Sequence, residues 1–195
     1  MKLRKIIDLI NKSIADNALA DQRFASKKIN GIAITYESDG GQGFGPYHSP
    51  GVLDEANWVG FDDVHSVQIY HKNNGANGRI DPNKQTGNEN NIITKTYNMS
   101  MIVMAIINRV QLSAEELDNL ILSGIPSVLD NQTLKDFNLK GCSINYVATN
   151  YNARDIIMRE YKGQNITVST ERIVFELKYT VECTFDKTCI QLICC

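Results

Sequence analysis

The sequence predicts an α+β domain. We expect a mainly antiparallel sheet of about five or six strands, with an N-terminal helix and a central capped helix packed on one face and with two long loops. Three patterns support this expectation: alternating apolar residues at 172–183, an apolar helical stripe near the N-terminus, and a capping box at Ser113. The chain has 195 residues, and this length is typical of a single domain spanning 1–195.

The segment 172–183, RIVFELKYTVEC, has the clearest strand pattern. Its apolar parity is Ile173, Phe175, Leu177, Tyr179, Val181 and Cys183, and its polar parity includes Glu176, Lys178, Thr180 and Glu182. This period predicts a strand with one buried face and one wet face. A buried parallel strand is apolar on both parities, so the pattern favours an antiparallel sheet covered on one side.

The N-terminal segment has helical periodicity from Leu3 to about Arg23. Apolar residues recur at three- and four-residue steps, at Ile6, Ile7, Ile10, Ile14, Ala18 and Leu19. This stripe predicts a helix that covers a sheet face or a neighbouring element. Lys2, Arg4 and Lys5 lie at the end where the helix dipole disfavours cations, so we expect the first turn to fray unless an acidic group meets it.

Strand patterns at 29–36 and 64–71 alternate with two polar, glycine-rich segments. The first segment, 37–63, contains six glycines and two prolines, and we expect no regular structure there. The second, 72–91, is almost wholly polar. Loops of this length are generally functional or disordered.

The second half of the chain predicts a strand at 92–107 in the same sheet as 172–183. Ser113 and Glu116 form a capping box that begins a helix, and Gly124 with Pro126 ends it. The later segments predict a short helix within 126–137 that buries Val128, Leu129, Leu134 and Phe137, a strand at 141–149, a short edge helix at 152–161, a turn at Asp186–Lys187 and a last strand at 189–195.

Composition excludes several function classes. A net charge of −2 provides no basic excess for a phosphate backbone, so we expect no direct nucleic-acid partner. Asp8, Asn11 and Lys12 interrupt what would be the apolar core of a signal peptide. No apolar run approaches the roughly 20 residues of a membrane span. We therefore expect a chain made in the cytoplasm, without a membrane partner.

The residues that could bind a metal or catalyse a reaction form no complete motif. The chain has five cysteines, which is an odd number: Cys142, Cys183, Cys189, Cys194 and Cys195. No two of them form a C-x₂-C pair, so we expect neither a disulfide framework nor a metal site. Cys183 and Cys189 are interpreted as core residues of strands. His65 and His71 lie too far apart along one strand to share a metal, and His48 is interpreted as a solvated loop residue despite nearby Ser49 and Asp54.

An alternative function is a small-molecule or nucleotide-binding enzyme that uses the glycine-rich segment Gly40–Gly45. Such a segment after a strand can cradle phosphate. Here no Lys-Ser/Thr pair closes it, and Pro46 lies where a helix would begin. The absence of lysine or arginine between Lys28 and Lys72 also counts against this alternative, and we expect no cofactor.

The order of elements, with the phrases YNMSMIVMAI, SGIPSVL and IVFELKYTVECTF, resembles small structural proteins of tailed phages and prophages. The resemblance is to tail terminator or head–tail connector proteins of phages of Bacteroides-type hosts. It implies a non-catalytic virion protein, made in the host cytoplasm, that forms a homo-oligomeric ring and contacts other phage neck or tail proteins. The segment 37–63 is longer than such small proteins need.

Interaction residues are expected in the two long loops. Phe44, Tyr47, Trp58 and Phe61 lie in the first loop and Arg79 lies in the second. Aromatic and arginine side chains are typical interface anchors. We expect these residues to contact neighbouring subunits or the tail tube.

Overall fold

A computed structural model of the protein describes residues 2–37, 44–48, 59, 63–81, 92–162 and 169–186. Its helices are α1 (Lys2–Ser13), α2 (Ile107–Val110), α3 (Ala114–Ser123), α4 (Asn131–Asp136) and α5 (Ala153–Glu160). Its strands are β1 (Lys28–Glu37), β2 (Phe44–His48), β3 (Val67–Asp81), β4 (Ile92–Ile106), β5 (Gly141–Asn150) and β6 (Arg172–Asp186). The predicted last turn and the strand at 189–195 lie outside the described residues, apart from Asp186, which ends β6.

The six strands form one sheet in the order β2-β1-β3-β4-β6-β5. All neighbouring strands are antiparallel except β1 and β3, which run parallel. β4 pairs with β6 over its whole length, from Ile92 opposite Asp186 to Ile106 opposite Arg172. The predicted α+β class is therefore confirmed, and so is the expectation that the segments 92–107 and 172–183 share a sheet.

One face of the sheet is covered by α1 and α3. The predicted α1 stripe is buried there, together with Leu117 and Ile121 of α3 and with Phe175, Leu177 and Val181 of β6. The α-helix ends earlier than predicted, at Ser13, and continues as a π-helical turn at Ile14–Ala18. In the first turn, Lys2 Nζ donates to the Asn138 carbonyl at 3.1 Å and lies 5.4 Å from the centre of the Phe185 ring.

The capping box of α3 is present as predicted. The Ser113 hydroxyl accepts from the Glu116 N–H at 3.2 Å, and Glu116 Oε2 accepts from the Ser113 N–H at 2.8 Å. These bonds satisfy backbone donors at the start of the helix and lower the pKa of Glu116. The helix ends at Ser123, directly before Gly124, so the predicted stop is also confirmed.

The opposite face of the sheet is covered by α5. Ile156, Ile157 and Tyr161 pack there against Tyr70, Ile102, Met104 and Val174. The predicted helix at 152–161 is confirmed, but it lies on a sheet face rather than at an edge. Consequently the second face of β6 is not uniformly wet, because Val174 and Glu176 are both buried beneath α5.

Three further local predictions were wrong. The segment 37–63 contains β2, which tolerates Pro46 because an edge strand can lack one N–H donor. β3 continues through 72–81 rather than ending at His71, because pairing with the β4 backbone does not require apolar side chains. A bulge near Gly75, at φ +123°, accommodates this extension. Val128 was expected to be buried, but its exposed fraction is 65%.

Candidate interaction surface

β5 lies at one edge of the sheet, and among the described residues a covering segment at 127–129 bonds only its first half on the outer side. The Leu129 N–H donates to the Cys142 carbonyl at 3.4 Å, and the Ile144 N–H donates to the Ser127 carbonyl at 2.8 Å. Beyond Ile144, no segment in the described part of the chain pairs with the outer edge of β5. This second half presents backbone donors and acceptors that another strand could use.

The uncovered half of β5 also exposes apolar side chains. The register with β6 shifts between Tyr146 and Ala148, so Val147 is an extra, unpaired residue. Tyr146, Val147 and Tyr151 are 53%, 59% and 44% exposed, and Val128, which lies opposite Ser143 on the covering segment, is also exposed. We call these four residues the β5 patch. They are four of the six large apolar side chains that are exposed in the described residues, so exposure is concentrated at this edge rather than scattered.

A groove of about 290 Å³ adjoins the patch between the end of α3 and β5. Its lining includes Leu122 and Ile125 on one side and Ile144 and Tyr146 on the other. The groove is mainly apolar and therefore suits an inserted apolar side chain better than a charged ligand.

Tyr151 is held at the end of the patch by α3. Its hydroxyl donates to Asp118 Oδ2 at 2.6 Å, and this hydrogen bond, with burial, raises the pKa of Tyr151 to about 12. The Tyr151 ring lies 6.0 Å from the Phe175 ring, centre to centre. The exposed aromatic face is therefore positioned by buried groups before any partner binds.

The structure does not place the predicted interaction residues in this patch. Phe44 and Tyr47 lie in β2, at the other edge of the sheet, where only the backbone is described. Trp58 and Phe61 lie outside the described residues. Arg79 is exposed on β3, opposite Thr94. Sequence reasoning missed the β5 patch because Tyr146 has the same parity as Cys142 and Ile144, which are buried, and because no residue pattern signalled the bulge at Val147.

A second cluster lies between α5 and the sheet and contains two buried carboxylates, Glu160 of α5 and Glu176 of β6. Glu160 bonds Lys72 Nζ and Arg159 Nε, each at 2.7 Å, while Glu176 Oε1 lies 3.0 Å from an Arg159 guanidinium nitrogen. The Ser100 hydroxyl donates to the same Glu176 oxygen at 2.7 Å. Burial lowers the pKa of Arg159, but the bonds and charges of the two carboxylates outweigh this effect and leave it raised. Because two cations balance two anions, the cluster functions as an anchor between α5 and the sheet.

The remaining candidates for chemistry are occupied by structural contacts. Both ring nitrogens of His71 are hydrogen bonded in the core. Cys142 and Cys183 are buried, as expected for Cys183, and the other three cysteines lie outside the described residues. The described residues contain no group of three or more His, Cys, Asp or Glu side chains that could hold a metal ion. In Gly40–Gly45, the described end enters strand β2 rather than a helix.

Comparisons with known proteins add no relative: no family model matches the chain, and no curated protein matches it. Among the described helices, none has the length and apolar character needed to cross a membrane.

Proposed function

We propose that the chain is a non-catalytic structural subunit of a tailed-phage or prophage particle. It forms a homo-oligomeric ring, as a tail terminator or head–tail connector, and joins or caps the tail tube. The observation that carries this proposal is the β5 patch beside an uncovered strand edge. The ring is assigned to a phage particle because of the sequence segments that resemble such phage proteins.

The β5 edge has the properties of a surface that another protein covers. Soluble proteins protect exposed strand edges with charged side chains, proline or covering segments. From Asn145 to Asn152 the sequence NYVATNYN contains no charged residue and no proline. The edge therefore combines unpaired backbone groups, exposed aromatic and aliphatic side chains, and an adjoining apolar groove, which suits contact with a second copy of the chain.

The position of this edge supports a head-to-tail contact. β5 and β2 lie at opposite edges of the same sheet. We propose that the β5 patch of one copy meets the β2 side of the next, where Phe44 and Tyr47 were predicted to interact. A head-to-tail interface either closes into a ring or continues as a filament. A terminator must close in order to present matched ends to its partners.

The test compares matched variants by native mass spectrometry and light scattering, with and without the candidate tail-tube protein. Val147→Lys places a charge in the patch, whereas Met158→Lys places one at a similarly exposed site on α5, 62% exposed. We expect one closed oligomer for the wild type and for Met158→Lys, and smaller species for Val147→Lys. A strictly monomeric wild type under both conditions contradicts the ring.

Neighbouring genes test the particle separately from the ring. Portal, capsid or tail-tube genes beside this one support a virion protein made in the host cytoplasm. Metabolic neighbours contradict it, even if the purified chain is oligomeric.

A further inference from the structure

Cys142 of β5 and Cys183 of β6 are direct cross-strand partners. Their sulfur atoms lie 3.6 Å apart and both side chains are buried, with exposed fractions of 7% and 3%. The two thiols come from residues 41 positions apart in the chain, and the sheet register brings them together.

The backbone geometry at this pair favours a disulfide. The Cys142 carbonyl and the Ile144 N–H bond the covering segment 127–129, so the backbone groups at these two positions point away from β6. Cys142 and Cys183 therefore form a non-hydrogen-bonded pair, in which antiparallel Cα atoms are typically about 4.5 Å apart. This spacing falls within the range that disulfides span, so the sulfurs can bond after small side-chain rotations.

We infer that Cys142 and Cys183 are an oxidative modification site, at which a small disulfide such as oxidised glutathione converts the dithiol into a cross-strand disulfide. The inference rests on the register and the sulfur contact and does not depend on the proposed function.

The reaction proceeds by two thiol–disulfide exchanges. The Cys142 thiolate attacks one sulfur of oxidised glutathione, forming a mixed disulfide and releasing one glutathione thiolate. The Cys183 thiolate then attacks Cys142 Sγ, forming the protein disulfide and releasing the second glutathione. The two protein thiols lose two protons and two electrons in total, and oxidised glutathione accepts both electrons to become two glutathione thiols.

Cys142 is the attacking residue. Either thiol can donate the hydrogen bond between the two sulfur atoms. This contact lowers the pKa of Cys142 and raises that of Cys183. Cys142 also lies on the edge strand, beside the short covering segment 127–129. Opening of that segment exposes Cys142 to a small oxidant without unfolding β4 and β6.

Disulfide formation would fasten the edge strand to β6 below the β5 patch. A chain in a reducing cytoplasm keeps the dithiol, and the same chain in an oxidising medium acquires the cross-link. Because the link closes a loop between distant residues, it should raise the melting temperature by about 10 °C.

The experiment oxidises the folded, full-length chain in a glutathione redox buffer and maps the products by non-reducing tryptic digestion. Trypsin places Cys142 in peptide 141–154 and Cys183 in peptide 179–187, whereas the other three cysteines fall in 188–195. We expect a 141–154/179–187 linked species that is lighter by two hydrogens than the sum of its peptides and that disappears with dithiothreitol.

A background with Cys189→Ser, Cys194→Ser and Cys195→Ser isolates the pair for melting measurements. Oxidised and reduced samples of this one variant are compared, so no core cysteine needs to be replaced. Oxidation should raise its melting temperature. The inference is overturned if the native chain stays reduced, stops at a glutathione adduct, links 141–154 or 179–187 only to 188–195, or forms the predicted link without a rise in melting temperature.

Discussion

The Tyr179 hydroxyl on β6 hydrogen bonds Nδ1 of His71 on β3, 2.7 Å away, across the intervening strand β4. Nε2 of His71 lies 2.7 Å from Asn11 Oδ1, while Asn11 Nδ2 donates to the Asn30 carbonyl. The Asn11 oxygen must therefore accept from Nε2–H, which leaves Nδ1 to accept from Tyr179. This arrangement uses both nitrogens of a neutral imidazole and connects α1 to three strands, β1, β3 and β6.

His71 should make stability depend on pH. Burial lowers its pKa from 6.5 to about 3. Between these two pH values, the unfolded chain binds a proton at His71 that the folded chain does not bind. The contribution of neutral His71 to the free energy of unfolding is therefore complete above pH 6.5 and is lost as the pH falls toward 3. The loss across this window is on the order of 4 kcal/mol. Urea denaturation of wild type and His71→Gln at several pH values measures it, and we expect their difference in stability to change over this window.

His65→Gln is the matched control for that experiment. His65 precedes β3 and is only partly buried. Its substitution should leave the pH dependence of stability similar to that of the wild type. Parallel curves for wild type and His71→Gln would show that His71 titrates alike in the folded and unfolded chains.

Gly124→Ala should destabilise the protein because the end of α3 closely approaches the π-helical turn at Ile14–Ala18. A Cβ atom at residue 124 would lie 2.8 Å from Ala18 Cβ and 3.2 Å from Ile14 Cα. Overpacking of this kind costs about 1 to 3 kcal/mol. Gly78→Ala is the control, because its Cβ would have no neighbour closer than Thr94 O at 3.9 Å. Equal unfolding midpoints for the two variants would contradict the close approach.

The elements that the sequence predicted are those set by local rules. The alternation in β6, the apolar stripe of α1 and the capping box at Ser113 each depend on residues close in sequence. Each of these patterns indicates one type of secondary structure. The β5 patch could not be found in this way. The bulge at Val147 depends on how β5 pairs with β6, and Tyr146 is exposed although it has the same parity as the buried Cys142 and Ile144.

The sequence also did not predict that α5 covers the second face of the sheet. Glu176 lies on the polar parity of β6, but Arg159 and Ser100 bond its carboxylate from α5 and β4. These partners are distant in sequence, so a burial pattern read from alternation alone treats Glu176 as solvated. Likewise, the polar residues of 72–81 form a strand because β4 provides backbone partners.

Phe175→Ala should cost about 3 to 5 kcal/mol of folding stability. Phe175 is fully buried in the core between the sheet and the helices, and Tyr151 packs near its ring. Lys178→Ala, on the exposed parity of the same strand, should change stability by less than about 0.5 kcal/mol. Chemical denaturation measures both changes. A loss below about 1 kcal/mol for Phe175→Ala would mean that its cavity collapses or that this face is not the core.

The ion cluster beneath α5 predicts an energetic coupling between Glu160 and Lys72. Glu160 is 1% exposed, so Glu160→Gln removes a charge that two cations were positioned to pair, at a cost of about 3 kcal/mol. Lys72→Met in the same background should cost less than it does alone, giving a coupling of about 1 to 3 kcal/mol in a double-mutant cycle. Exposed Glu171→Gln is the control and should be nearly neutral. Additive effects of Glu160→Gln and Lys72→Met would show that solvent, rather than Lys72, stabilises the buried carboxylate.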